Sequence, residues 1–494
     1  MKKVLIVGAG IAGLSAGIYA RQSGFDVTIL EGHTIPGGAS TSWRRKGYLF
    51  EGGMHWLTGS SPQTELHALW REVGALDDSV RVYNRDPFTR MELGGTTVCL
   101  YRDVDRLRQH FLEIAPEDGA EIKRLCRDIA HFQSMGMPVT DLKGLRVQKR
   151  RSQSLAALPA MLAAMPRLSF YAGLTVGEYA ARFQNPALRQ ALESVVGADY
   201  VATSVVFTLA TYAAGDGGYP EGGSLAMARR MADKFVKLGG AIRYNTPVRN
   251  VIVRDGAAVG VELEGGAEEA DAVIVTQDTL AAVDRLFDPP IREPWVERMK
   301  QTTVPSLNTF LSIGVEANLA DLPESVQFEA DVPLTCGGIE QRIIGINNYS
   351  TYPGYAPAGC TALTAFFGGD TYEFWKTCRE NGTYAAEKEK LAMAFIDLLA
   401  RKYPQTAGKV AVWDVATPLT YERYLHSYKG SWMTIMGKGM PAKPYPCKPE
   451  GIRNVYFAGQ RLRAPGGLPV ALTTGRTAAQ HLCLDTDTVF QGAT

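Results

Sequence analysis

The chain has 494 residues, of which 46% are hydrophobic and 21% charged, with 52 basic against 51 acidic side chains and a formal net charge of +1. That length supports a large buried core and two or more domains, and so balanced a charge excludes a global attraction to nucleic acid. The seven cysteines (Cys99, Cys126, Cys336, Cys360, Cys378, Cys447, Cys483) show neither CxxC pairs nor metal-ligand spacing, and the seven histidines lack paired spacing, so free thiols in a reducing, cytoplasmic setting are expected and a metal centre is not.

The first predicted element, Val4–Val7, is a short β-branched and aliphatic run of the kind found in buried parallel strands. The turn Gly8-Ala9-Gly10-Ile11-Ala12-Gly13 follows with G-x-G-x-x-G spacing, and Leu14–Arg21 continues as a helix. Asp26–Leu30 is a second buried strand, closed by Glu31-Gly32. In such a unit Gly8 allows the tight turn, Gly10 admits a pyrophosphate to the backbone, and Gly13 lets helix and strand pack closely. Glu31 then accepts from a ribose hydroxyl, so an adenine dinucleotide is expected. Met1–Gly17 superficially resembles a signal peptide, but the nucleotide turn accounts for its glycines, and no apolar run reaches membrane-spanning length.

NAD-binding units usually stop at the ribose acid. Here Pro36-Gly37-Gly38-Ala39-Ser40 and then Gly52-Gly53-Met54-His55-Trp56 come next. Either glycine pair alone reads as a plain turn. Both together, beyond Glu31, favour FAD, whose ribityl chain runs on along the backbone into the protein.

The following stretch is predicted as helices at Leu66–Val73, Val104–Ile114 and Asp118–Met135, with a strand at Gly95–Tyr101. Further helices at Thr175–Phe183 and Pro186–Val196 are N-capped by Thr175 and Asn185 and read as the lid of a substrate domain. Ahead of these two helices, and after Met135, Lys143, Arg146, Lys149, Arg150 and Arg151 precede an apolar segment, 155–165. That pattern suits either peripheral contact of 143–165 with anionic lipid or a solvated linker, and the linker is the favoured reading.

Tyr219–Ser224 leads into a predicted helix, Leu225–Leu238, followed by strands at Ala241–Tyr244, Val248–Val253, Ala258–Leu263 and Asp271–Val275; Val248 is counted with the cofactor-binding residues. Strands at Thr309–Val315, Gln341–Asn347 and Thr361–Phe367 and a helix at Tyr384–Tyr403 complete the substrate half. Near the C-terminus the strand Val455–Gln460 ends at Gly459-Gln460, Pro465-Gly466-Gly467-Leu468-Pro469 follows, and Val470–Leu482 is a helix. Gly467, Leu468, Pro469 and Val470 are expected against the flavin ring, with the helix start aimed at its pyrimidine edge.

These segments resemble the FAD-dependent amine-oxidase and phytoene-desaturase superfamily over roughly residues 1–60, 218–280 and 415–485. Phe50–Gly59, Thr417-Pro418-Leu419-Thr420 with Gly430, and Gly459-Gln460 are similar to stretches in the carotenoid-isomerase and retinol-saturase branch. Three positions depart from the wider pattern. Ala39 stands where many members have a phosphate-facing arginine, and Glu51 and Gln460 stand where aspartate is usual.

The resemblance implies an α/β fold of the glutathione-reductase-like, amine-oxidase type. A discontinuous Rossmann-like FAD-binding domain (1–80, 218–282 and 415–494) joins a mixed sheet-and-helix substrate domain with a helical lid (81–217 and 283–414). It also implies non-covalent FAD and a hydrophobic polyene or acyl substrate whose carbon–carbon bond exchanges hydride with the flavin through an unidentified electron partner. Redox-neutral isomerisation by reduced FAD, amine oxidation and a non-catalytic flavin-binding protein remain alternatives. Candidate pocket residues are Met54, His55, Trp56, Phe207, Tyr212, Tyr428 and Trp432. His55 is the candidate catalytic residue, with a structural histidine as the competing reading. No second G-x-G-x-x-G follows a strand and no G-x-S-x-G is present, which leaves the flavin as the reactive group.

Overall fold

A computed structural model describes residues 1–137, 139–147, 158–440 and 443–492. At its centre lies a five-stranded parallel sheet in the order Ala241–Arg243, Asp26–Leu30, Lys3–Val7, Ala272–Val275, Val455–Phe457. The run Val4-Leu5-Ile6-Val7 is apolar throughout because both faces of its strand are covered. Val4 and Ile6 join the core shared with the helices Ile11–Gln22, Gly223–Lys237 and Gly467–Asp485. Leu5 and Val7 point the other way, into the core under the three-stranded sheet Asn250–Arg254, Ala257–Leu263, Gly266–Glu269.

A second sheet has seven strands in the order Val410–Ala416, Asn308–Val315, Thr361–Gly368, Ile339–Asn348, Ser325–Cys336, Arg90–Leu93, Thr96–Cys99. The helix Tyr384–Lys402 packs on one of its faces through Leu391, Phe395, Leu398 and Leu399. A third core holds the helices Val104–Ile114, Gly119–Phe132, Val176–Ala180, Pro186–Val196 and Thr203–Ala213.

Asn185 caps its helix by accepting from the N–H groups of Ala187 and Leu188. Thr175 and Glu178 form a reciprocal capping box, but that helix ends at Ala180, three residues before the predicted Phe183. The C-terminal helix starts at Gly467, three residues before the predicted Val470, so Leu468 and Pro469 already lie within it. Val248 precedes the strand it was expected to open, which begins at Asn250.

Of the basic cluster, Lys143 and Arg146 are exposed, and Arg146 pairs with Asp487 at 2.9 Å. Lys149, Arg150, Arg151 and 155–157 lie outside the described residues. Among the described residues no helix is long and apolar enough to cross a membrane.

Candidate functional site

The two glycine loops predicted to follow one another along a cofactor are in direct contact. Gly37 donates its N–H to Ala9 O at 2.9 Å, and Gly10 and Gly37 form an isolated parallel bridge. The glycines of the first loop then divide by role. A Cβ on Gly13 would stand 1.9 Å from Gly8 O, so this glycine serves the close contact of helix and strand. A Cβ on Gly10 would meet nothing nearer than Gly37 O at 3.8 Å, and it would project from a residue that lines a cavity.

Glu31 lines the same cavity and accepts from Ala9 N–H at 2.6 Å and His33 N–H at 2.8 Å. Its carboxylate thus fixes the loop as well as facing the cavity. Ala9 and Gly13 do not line it; Ala9 acts through its N–H to Glu31. The other predicted cofactor residues all line it: Gly8, Gly10, Ile11, Ala12, Glu31, Gly32, Gly37, Gly38, Ala39, Ser40, Gly53, Met54, His55, Val248, Gly459, Gln460, Gly467, Leu468, Pro469 and Val470.

Glu51 and Gln460, the two departures from aspartate, carry loads that the sequence did not reveal. Glu51 is buried. It accepts from Gly53 N–H at 3.0 Å, Met54 N–H at 3.3 Å, Ser224 N–H at 3.0 Å and Tyr219 O–H at 2.5 Å. It therefore ties the second glycine pair to the first turn of the helix Gly223–Lys237, where an anionic acceptor is favoured. Gln460 Oε1 accepts from Gly467 N–H at 3.0 Å and so fixes the start of the C-terminal helix.

Beyond His55 the wall becomes aromatic. Phe310 and Phe366 are cross-strand partners in the seven-stranded sheet. The His55 ring stacks on Phe310 at 6.0 Å and meets Phe366 at 5.5 Å and Trp432 edge-on at 5.9 Å. Burial and the nearby Arg85 guanidinium push the imidazole down to about 4, so it is uncharged at neutral pH and is not an imidazolium proton donor there.

Trp432 is held from behind. Buried Arg461 (2% side-chain exposure) pairs with Asp278 (7%) at 2.6 Å and donates to Ser431 Oγ at 2.7 Å and Thr434 Oγ1 at 2.6 Å, on either side of Trp432-Met433.

Trp56 and Phe207 line the cavity as expected, but Tyr212 and Tyr428 do not. Tyr212 is buried and donates its hydroxyl to Arg85 O, whereas Tyr428 sits at the surface. Phe310, Phe366, Arg85, Asn308 and Asn347 were missed. Phe310, Phe366 and Asn347 lie on segments predicted as strands, and a cross-strand register would have aligned the two phenylalanines.

The cavity is continuous from the glycine loop to the helices Pro186–Val196 and Thr203–Ala213 and measures about 2640 Å³. A pocket for one small ligand is roughly 300–1,000 Å³, so there is space for a dinucleotide and a second molecule together. Among the described residues no group of His, Cys, Asp and Glu is placed to hold a metal ion.

The sequence model of the flavin containing amine oxidoreductase family matches residues 11–483. The chain belongs to that family. It is 24% identical to 4,4'-diapophytoene desaturase (4,4'-diapolycopene-forming) of Methylomonas sp, covering 97% of this chain and 94% of that one. It is also 24% identical to the chloroplastic prolycopene isomerase 2 of an Oncidium hybrid cultivar, covering 97% and 84%. Among solved structures it is similar to cyclohexylamine oxidase from Brevibacterium oxydans IH-35A, with a TM-score of 0.61 at 17% identity over 98% of this chain and 99% of that one.

The protein is thus a flavin-dependent oxidoreductase of amine-oxidase fold with carotenoid desaturases and isomerases among its relatives. The residues present fit a flavin: Gly10 leaves the backbone open, Glu31 offers a carboxylate at the end of its strand, and the C-terminal helix turns its glycine-led start to the cavity.

Proposed function

We propose that the protein binds FAD non-covalently and exchanges hydride between it and a carbon–carbon bond of an elongated, largely apolar substrate of polyene or acyl type. The observation that carries this reading is the continuity of one large cavity from the glycine loops, past His55 and Trp432, to the helical cluster. Segments 1–80, 218–282 and 415–494 hold the cofactor in this reading, and 81–217 and 283–414 enclose the substrate.

FAD supplies the hydride donor or acceptor when bound. The chain's own residues do the rest. Gly8, Gly10, Ile11, Ala12 and Gly37–Ser40 would present backbone to the phosphates and ribityl chain, and Glu31 would accept from the ribose. With the Gly467 N–H held by Gln460, the Leu468–Val470 part of that turn would offer its backbone N–H groups to the flavin's pyrimidine edge. His55, Phe366 and Trp432 form a dry wall that orients the reacting carbons.

Redox-neutral double-bond isomerisation is the second reading, favoured by the prolycopene isomerase match at the same identity as the desaturase match. Acid precipitation should release all flavin as FAD, and mass spectrometry of the lipid extract should find a long unsaturated molecule bound. Flavin retained on the denatured chain would contradict the non-covalent assignment, and a small polar amine as the co-purified ligand would contradict the substrate class.

A further inference from the structure

Arg85 is a cation on the cavity wall with no counter-charge among the described residues. Its guanidinium donates from Nη1 to Asn347 Oδ1 at 3.3 Å and from Nη2 to His55 O at 3.4 Å, and it lies over the Phe88 ring at 5.4 Å. These contacts use two of its five N–H groups.

Among the described residues no carboxylate pairs with it. The adjacent acid, Asp86, accepts from Arg102 N–H at 3.0 Å and pairs with Arg106 at 3.6 Å, while Glu324 accepts from Thr351 Oγ1 at 2.7 Å. The Arg85 backbone is fixed in turn, because buried Tyr212 donates its hydroxyl to Arg85 O. Thus a positioned guanidinium stands beside the aromatic wall around His55 while the carboxylates of Asp86 and Glu324 are engaged with other partners. A partly desolvated cation is costly until it is paired, and the planar fork matches a carboxylate bidentately.

We infer that Arg85 anchors a carboxylate of the substrate, so that the molecule the cavity takes is a long apolar chain ending in an acid. This specificity role rests on the apolar-substrate reading above. It predicts that the acid end lies on the His55 side of the cavity and the chain extends toward the helices Pro186–Val196 and Thr203–Ala213.

The test is equilibrium dialysis of the oxidised, FAD-loaded protein with a long-chain polyene carboxylic acid and, separately, its methyl ester. The wild type should bind the acid roughly tenfold or more tighter than the ester, the size expected of a hydrogen bond to a charged group. Arg85→Met should remove that preference by weakening the acid alone, and Arg85→Lys should keep part of it. Equal wild-type affinity for acid and ester would overturn the anchor while leaving the apolar-substrate reading intact. Binding of neither would overturn both, and an acid preference that survives Arg85→Met would assign the recognition elsewhere.

Discussion

Gly10 and Gly13 belong to one motif, yet their replacement should have opposite consequences. At Gly13 an added Cβ falls 1.9 Å from Gly8 O and 3.0 Å from Thr276 Oγ1, and a backbone carbonyl cannot move aside without opening the turn. Gly13→Ala should therefore destabilise the polypeptide itself by about 1–3 kcal/mol, the cost of overpacking.

At Gly10 the backbone is extended (φ −69°, ψ 175°), which any residue adopts, and the nearest atom to a new Cβ is 3.8 Å away. Gly10→Val should fold as well as the cofactor-free wild type but present its methyls where the pyrophosphate approaches. What it loses is linkage: a ligand at a hundred times its Kd adds about 2.7 kcal/mol to stability, and the variant forgoes it.

The assay is urea unfolding of both variants with and without added FAD, together with the visible flavin absorbance per chain. Wild type and Gly10→Val should coincide without FAD and separate with it, whereas Gly13→Ala should be weaker in both. A yellow Gly10→Val protein with the wild-type spectrum would refute the reasoning, as would a Gly10→Val protein unstable without cofactor.

Glu31→Ala should weaken FAD binding about tenfold or more, the scale of a charged hydrogen bond, and Glu31→Gln less so; titration of the cofactor-free protein reads both. A Cβ at Gly467 meets nothing nearer than Met433 Cε at 3.9 Å, but the residue sits at φ +82°, so Gly467→Asp strains the turn; a carboxylate there should still lower the flavin reduction potential, with FAD occupancy largely kept. An unchanged potential would place the Gly467 turn away from the ring. His55, held near 4 against 6.5 for a free imidazole, should make the folded protein lose stability as pH falls from about 6.5 to 4, where the unfolded chain takes up the proton first. The contribution is on the order of 1–3 kcal/mol. Unfolding midpoints of His55→Gln should then be flatter than wild type across that window.

What the sequence disclosed was local. The strand–glycine–helix unit and the Thr175 and Asn185 caps follow from backbone geometry that a few adjacent residues dictate, and they stand where their spacing put them. The strand Ser325–Cys336 left no such trace. Its register shifts between Glu329 and Leu334, around Asp331-Val332-Pro333, which breaks the alternation that marks a strand. The helix Thr203–Ala213 is rich in Thr and Val, so propensity argued against it and burial in the helical core decided.

The site divides in the same way. Its glycine loops are contiguous in sequence, whereas Arg85, Phe310, Asn347, Phe366 and Trp432 come from separate segments that meet only through the seven-stranded sheet and its loops. Tyr212 was misjudged for that reason. An aromatic residue predicted to line the cavity instead supports Arg85 from behind.

The central claim, that flavin and an elongated apolar substrate meet in one cavity and exchange hydride, is tested most directly by the visible flavin band under anaerobic conditions. The purified protein is mixed with the unsaturated lipid extracted from it, or with that lipid's hydrogenated counterpart, starting from oxidised and from pre-reduced flavin. The account predicts that one pairing bleaches or restores the band stoichiometrically while the lipid gains or loses one double bond. A band that never changes while the lipid's double bonds only change geometry would mark the protein as an isomerase, and a band that responds only to amines would contradict the account.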